Sequence, residues 1–119
     1  MGNAKTILVV EDSQAWFRLL TRLLEKMSYS VAGFEDLEEA ERYIRSGMEY
    51  NLALVDLTIH ERESDGLIRL SKQVNPIVPI ITMSGWDGYR NENVCAHYVK
   101  GPDPDKLNRF IDLLWVHML

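Results

Sequence analysis

A chain of 119 residues, 46% apolar and 26% charged, is sized for one hydrophobic core, so residues 1–119 are expected to form a single domain with no second one. Its 13 basic against 18 acidic side chains give a formal charge of -5, which opposes binding to phosphate backbones and excludes nucleic acid as an expected direct partner. A single cysteine, no leader-like amino terminus and no apolar run near the roughly 20 residues of a membrane span give a cytoplasmic expectation, with no membrane contact.

Thr6-Ile7-Leu8-Val9-Val10 is a β-branched apolar run, the pattern of a strand buried on both faces, and it stops at Glu11-Asp12. Asp12 or Ser13 can cap the next helix, because a short side-chain oxygen there accepts from the orphan N–H groups of the first turn. Along that helix Trp16, Leu19, Leu20, Leu23, Leu24 and Met27 recur at spacings of three and four, a face made to lie on a sheet. Residues 28–30 break the period and residues 31–34 form a short second strand. Asp36 with Glu39 then has capping-box spacing before Leu37, Ala40, Tyr43 and Ile44.

Asn51-Leu52-Ala53-Leu54-Val55-Asp56 is a third buried strand that surfaces at a carboxylate. A polar run over 58–64 leads to a helix opened by Asp65-Gly66, carrying Leu67, Ile68, Leu70 and Val74 and ended by Pro76. Residues 77–83 make a fourth strand ending at Ser84-Gly85. Residues 86–93, with Gly88, two asparagines and alternating charge, present no apolar face. His97-Tyr98-Val99 is a short fifth strand ending at Lys100. Asp103-Pro104 carries the cap and first-turn proline of a last helix whose Leu107, Phe110, Ile111, Leu114 and Met118 share a face. Alternating strands and helices with wholly apolar strands predict an α/β fold, a doubly wound five-stranded parallel sheet with helices on both faces.

In such a sheet the carboxyl ends of the strands share one edge, so Glu11-Asp12, Asp56, Ser84 and Lys100 converge there. Three carboxylates together are costly without positive charge, and Lys100 supplies only one. An all-oxygen pocket suits Mg2+, which keeps waters free for a phosphorylated partner. A hydroxyl and an ammonium beside it would receive phosphoryl oxygens, Gly85 would let the backbone approach closely, and Asp56 would attack phosphorus as a nucleophile. Singly, these residues read as plainly as a helix cap, a turn residue, a loop donor and a solvated charge. Four coincidences at four strand ends favour the site.

The set Glu11-Asp12, Leu54-Val55-Asp56, Met83-Ser84-Gly85 and Val99-Lys100 resembles the receiver domains of two-component response regulators, the family of the chemotaxis response regulator, over essentially the whole chain. The resemblance implies a flavodoxin-like strand order 2-1-3-4-5, with Asp56 the phosphoacceptor, Asp12 a direct Mg2+ ligand and Glu11 a ligand through water. The carbonyl of Thr58 would complete the protein's share of the metal shell. Ser84 would bind a phosphoryl oxygen and shift toward it, and Lys100 would pair with the phosphate.

The departures from that family's pattern are concentrated in two places. His60 stands where a proline is common, and Asp65-Gly66 lies about two residues later than usual, so the loop after Asp56 is lengthened. Lys100 follows Ser84 by 16 residues, fewer than usual, which makes the fourth helix short, irregular or missing. His97 holds the position of the family's aromatic switch, with Tyr98 one residue later as the other switch candidate, and Gly101 displaces the usual proline to Pro102. The two positions that influence phosphate lifetime hold Thr58 and Trp86; a bulky indole there implies slow self-dephosphorylation, which Trp86→Ala is expected to speed. His60 reads either as a hydrogen-bond donor to the site or as a solvated loop residue. Trp115 and His117 are candidates for a partner surface, and Cys95 is expected to be an inert buried thiol.

The resulting expectation is a phosphoacceptor switch with Mg2+ as cofactor. Its partners are a histidine kinase or phosphotransfer protein and an unidentified output protein, and it is a monomer or a phosphorylation-dependent dimer. It is no enzyme beyond self-catalysed phosphotransfer to Asp56 and slow autodephosphorylation. One alternative is a receiver-like docking module that is not phosphorylated. Another is a phosphatase resembling the haloacid-dehalogenase family, disfavoured because Asp56-Leu57-Thr58 lacks the second acid that family carries.

Overall fold

The apolar runs fold as strands in the computed structural model, which describes residues 5–118, with side chains as far as residue 116. In chain order the elements are β1 (Thr6–Val10), α1 (Gln14–Lys26), β2 (Ser30–Phe34), α2 (Leu37–Arg45), β3 (Leu52–Asp56), β4 (Thr58–Ile59), β5 (Arg62–Glu63), α3 (Asp65–Val74), β6 (Ile80–Ser84), β7 (Ala96–Val99) and α4 (Asp105–Met118). Five of the strands form one sheet in the order β2-β1-β3-β6-β7, parallel throughout. Counting only that sheet's strands, this is the expected flavodoxin-like order 2-1-3-4-5.

The alternation of side chains along each strand divides the core into two layers. Leu8, Val10, Ala53, Val55 and Ile80 face α2 and α3, while Ile7, Val9, Leu52, Leu54, Ile81 and Met83 face α1 and α4. β3 is buried along its whole length, which explains a strand with no polar alternation. Leu19 and Val74, expected on buried faces, are instead 36% and 42% exposed, because they sit at the rim of one helix stripe and the last turn of another. The side chains of His117 and Met118 lie outside the described residues.

Capping separates two roles that the sequence left open between neighbours. Ser13 caps α1, its Oγ accepting the Trp16 N–H at 3.4 Å, and this leaves Asp12 at the sheet edge. Asp36 caps α2 through the Glu39 N–H at 2.8 Å. Asn51 closes the other end of β3, where its Oδ1 accepts the Thr6 N–H at 2.8 Å.

Two connections depart from a plain doubly wound fold. Residues 58–63 form a small antiparallel hairpin of β4 and β5, turned by His60 (φ 49) and Glu61 (φ 64), the positive angles at both central positions that a type I′ turn needs. Between β6 and β7 no helix forms; the expected short, irregular or missing helix is missing, and the chain crosses as irregular structure. Without an apolar stripe, a helix there would have had nothing to bury. Cys95, expected to be buried, is exposed just ahead of β7, with its thiol donating to the Ile80 carbonyl at 3.2 Å. That absence of a covering helix leaves it in view. No helix among the described residues is long and apolar enough to cross a membrane.

Candidate functional site

Strand register assembles the site at the strand ends, from the last residue of β3 and β6 and the residue just past β1 and β7. Val10 pairs with Val55, so Glu11 and Asp56 follow side by side; Asp56 pairs with Met83, and Ser84 with Val99, so Ser84 and Lys100 come next along the same edge. The Lys100 N–H donates to the Ser84 carbonyl at 2.8 Å and the Leu57 N–H to the Met83 carbonyl at 2.9 Å, extending the ladder into the site.

Glu11, Asp12 and Asp56 each place a carboxylate oxygen within 4.8 Å of the others. Lys100 Nζ lies 2.5 Å from Glu11 Oε1 and 2.6 Å from Asp56 Oδ2, bridging the two acids. Glu11 is fully buried. Burial, then a hydrogen bond with Asp56, pushes its carboxyl up to about 7, against the opposing pull of Lys100. Burial alone would lower the Lys100 ammonium, but its pairing with the Asp56 and Glu11 carboxylates outweighs that and raises it, so it stays charged. The other Asp56 oxygen, Oδ1, accepts the Thr58 N–H at 3.0 Å.

This donor set fits a hard divalent cation. It consists of oxygen only, it carries more negative charge than Lys100 neutralises, and the buried Glu11 Oε1 makes no hydrogen bond of proper geometry despite the nearby ammonium. Asp12 is half-buried and held in place by the β4–β5 turn: the His60 backbone N–H donates to its Oδ2 at 2.7 Å, and His60 Nδ1 stands 3.9 Å away.

Ser84 is committed to the residues after it. Its hydroxyl donates to the Trp86 carbonyl at 2.8 Å, accepts the Trp86 N–H at 3.2 Å and lies 2.9 Å from His97 Nε2. The same imidazole reaches Thr82 Oγ1 with Nδ1 at 2.7 Å. His97 therefore sits against Ser84. Tyr98 points to the opposite face of the sheet, packs with the α1 and α4 layer, and donates to the Asp103 carbonyl at 3.3 Å. Glu11, Asp12, Asp56, Ser84 and Lys100 are brought together, with His97 beside them; Tyr98 is not.

Residues 7–99 match the model of the response regulator receiver domain. The chain belongs to that family. Among solved structures, this receiver domain is similar to a receiver domain protein (CheY-like) from Methanospirillum hungatei, at 24% identity and TM-score 0.84, covering 97% of this chain and 96% of that one. A two-component response regulator from Clostridium difficile gives 18% identity and TM-score 0.85, covering 96% and 98%. Response regulator protein TrrA from Thermotoga maritima, in complex with Mg2+ and beryllium fluoride, gives 24% and 0.81, covering 92% and 98%. These likenesses establish the fold. No curated protein matches the chain.

Two features of the receiver domain's site, at Ser64 and Trp16, escaped the sequence. Ser64, fully buried, donates its hydroxyl to the Asp56 carbonyl at 2.6 Å and so ties the hairpin's exit to the end of β3; nothing in a polar run marks such a residue. Trp16 reads as core by its spacing, yet Lys100 Nζ lies 5.4 Å from its ring centroid, so the indole also walls the ammonium. At Gly85 an added Cβ would meet nothing within 4 Å, so the close backbone approach expected there is not a demand of the chain itself.

Proposed function

We propose that this receiver domain is a phosphoacceptor switch in which Asp56 is the acceptor. A histidine kinase, a phosphotransfer protein or a small phosphodonor supplies the phosphoryl group. Asp56 attacks phosphorus, the bond to the donor breaks with its electron pair, and an aspartyl phosphate results. Asp12, Asp56 and the Thr58 carbonyl are the residues that would hold Mg2+, with Glu11 reaching it through water. When bound, the cation offsets charge on the phosphoryl oxygens. Lys100 transfers its contact from the Asp56 carboxylate to the phosphoryl oxygens, and Ser84 donates to another of them, leaving its present partners Trp86 and His97. The exposed Trp86 indole beside the site slows water's access to phosphorus, giving a long-lived phosphoprotein. The output is a changed surface read by another protein in the cytoplasm.

One observation carries this reading: Lys100 Nζ bridges Asp56 and a buried Glu11 inside a three-carboxylate cluster, an arrangement with surplus negative charge at the open end of a parallel sheet. The Mg2+ and beryllium fluoride in the Thermotoga maritima protein support it. The test is incubation with Mg2+ and acetyl phosphate or beryllium fluoride, followed by intact mass and tryptophan fluorescence. An adduct that disappears in Asp56→Asn is expected; its absence in the natural chain leaves only a docking role.

A further inference from the structure

Beside Asp56, between β5, the start of α3 and the irregular stretch after β6, lies a cavity of about 280 Å3 lined by Leu57, Thr58, Glu63, Asp65, Trp86 and Tyr89. Two of its walls are aromatic. Trp86 and Tyr89 stand at 84° to each other with ring centroids 6.4 Å apart, so their planes meet almost at a right angle. The other two side chains of consequence are carboxylates, and among the described residues neither Glu63 nor Asp65 forms an ion pair. Among the described residues the Asp65 carboxylate accepts only the Tyr89 hydroxyl, at 3.3 Å. Burial first, and behind it the neighbouring carboxylates of Asp65 and Glu63, raise that hydroxyl's pKa despite its bond with Asn91. Among the described residues no lysine or arginine lines it.

These walls select a class of occupant. An anion meets two carboxylates and no cation. A neutral apolar group would strip water from both acids and leave them unpaired. A cation gains the negative faces of the rings and charge-assisted hydrogen bonds to the carboxylates. A planar guanidinium serves best, since it stacks on an indole while its forked N–H groups reach two acids at once. We propose that this cavity receives an arginine side chain of a partner protein.

The cavity's position gives the contact a regulatory meaning, which rests on the switch proposed above. The Trp86 wall is held through two hydrogen bonds to Ser84, Oγ to the Trp86 carbonyl at 2.8 Å and the Trp86 N–H to Oγ at 3.2 Å. Recruitment of Ser84 to a phosphoryl group breaks the first and loosens that wall, leaving the Trp86 carbonyl with His97 Nε2 at 3.0 Å. Arginine binding and phosphorylation then bias one another, each altering the other's equilibrium by the same factor.

The test is an NMR titration of the 15N-labelled chain with Nα-acetyl-arginine amide, with the citrulline analogue as the uncharged control. Saturable shifts at the Trp86 indole N–H and the Thr58 and Tyr89 amides are expected, with citrulline binding about fivefold or more weaker, as loss of a partly exposed cation–π and charge pair implies. Glu63→Gln, a change on an exposed side chain, should weaken arginine severalfold and leave the fold's spectrum intact. Equal shifts with citrulline, shifts spread over the acidic surface of α2, or indifference to Glu63→Gln would each overturn the proposal. Free arginine binding more tightly than the capped residue would mark a small-molecule site and overturn the protein partner. Repeating the titration with Mg2+ and beryllium fluoride separates the two readings. An adduct with unchanged arginine affinity removes the coupling and keeps the cavity; no adduct at all removes the switch and keeps the cavity.

Discussion

At the scale of single residues, Glu11 is where burial and charge collide. Its carboxyl sits at about 7 in the folded chain against an ordinary 4.5, so the folded state holds this proton more tightly than the unfolded state does. The sign follows: Glu11's contribution to stability is fully present below about pH 4.5 and is lost as pH rises through about 7. The metal-free chain should therefore lose thermal stability between about pH 5 and pH 8, and Glu11→Gln should flatten that fall. Mg2+ should restore more stability at the higher pH, because the cation needs the deprotonated cluster. Thermal unfolding followed by circular dichroism, with and without Mg2+, measures both slopes. A steeper fall in Glu11→Gln than in the natural chain would contradict the account.

At the scale of elements, the ends of segments carry more information than their middles. Helix α1 closes in a Schellman motif: the Tyr29 N–H donates to the Leu24 carbonyl at 3.0 Å and the Ser28 N–H to the Glu25 carbonyl at 2.9 Å, with Ser28 itself at φ 70. Serine pays a steric cost there that glycine avoids, so Ser28→Gly should stabilise the chain by about 0.5–1 kcal/mol, read as a higher denaturation midpoint. Residues 28–30 were legible as a break in the helical period, but the motif was not, because neither serine announces a left-handed turn. The strands and the capped helices were legible for the opposite reason: apolar runs and short polar caps have few other uses. The β4–β5 hairpin was hidden, since two-residue strands have no alternation to read and His60-Glu61 lacks the Asn-Gly signature. The strand-end residues of the site were legible because register alone delivers them, whereas Ser64 and the Thr82 contact of His97 depend on loop paths that no spacing encodes.

At the scale of the whole molecule, the missing helix leaves a gap on one face that has been filled by polar contacts and rings. Thr82 and Ser84 point to the side where α2 and α3 pack, and His97 closes over them: its ring lies 5.5 Å from Tyr89 and 6.4 Å from Trp86, and its two nitrogens reach Thr82 Oγ1 and Ser84 Oγ. One imidazole thus joins β7 to β6 across the register pair Thr82 and His97, a load that a helix stripe would otherwise share. Thr82 is fully buried, so removing its partner strands a hydroxyl away from water. His97→Ala should therefore cost about 1–3 kcal/mol, the usual penalty for an orphaned buried polar group, in addition to lost ring packing. The loss should also be local in character. β3, between two paired strands and buried along its length, keeps its protection, while the amides of β7 at the sheet's edge exchange faster. Native-state hydrogen exchange on His97→Ala distinguishes this from a uniform loss of stability, which would raise exchange in β1, β3 and β7 alike. A selective opening of β7 would place the connection between the strand-end site and the outer strand in one side chain, His97, rather than in a helix between β6 and β7.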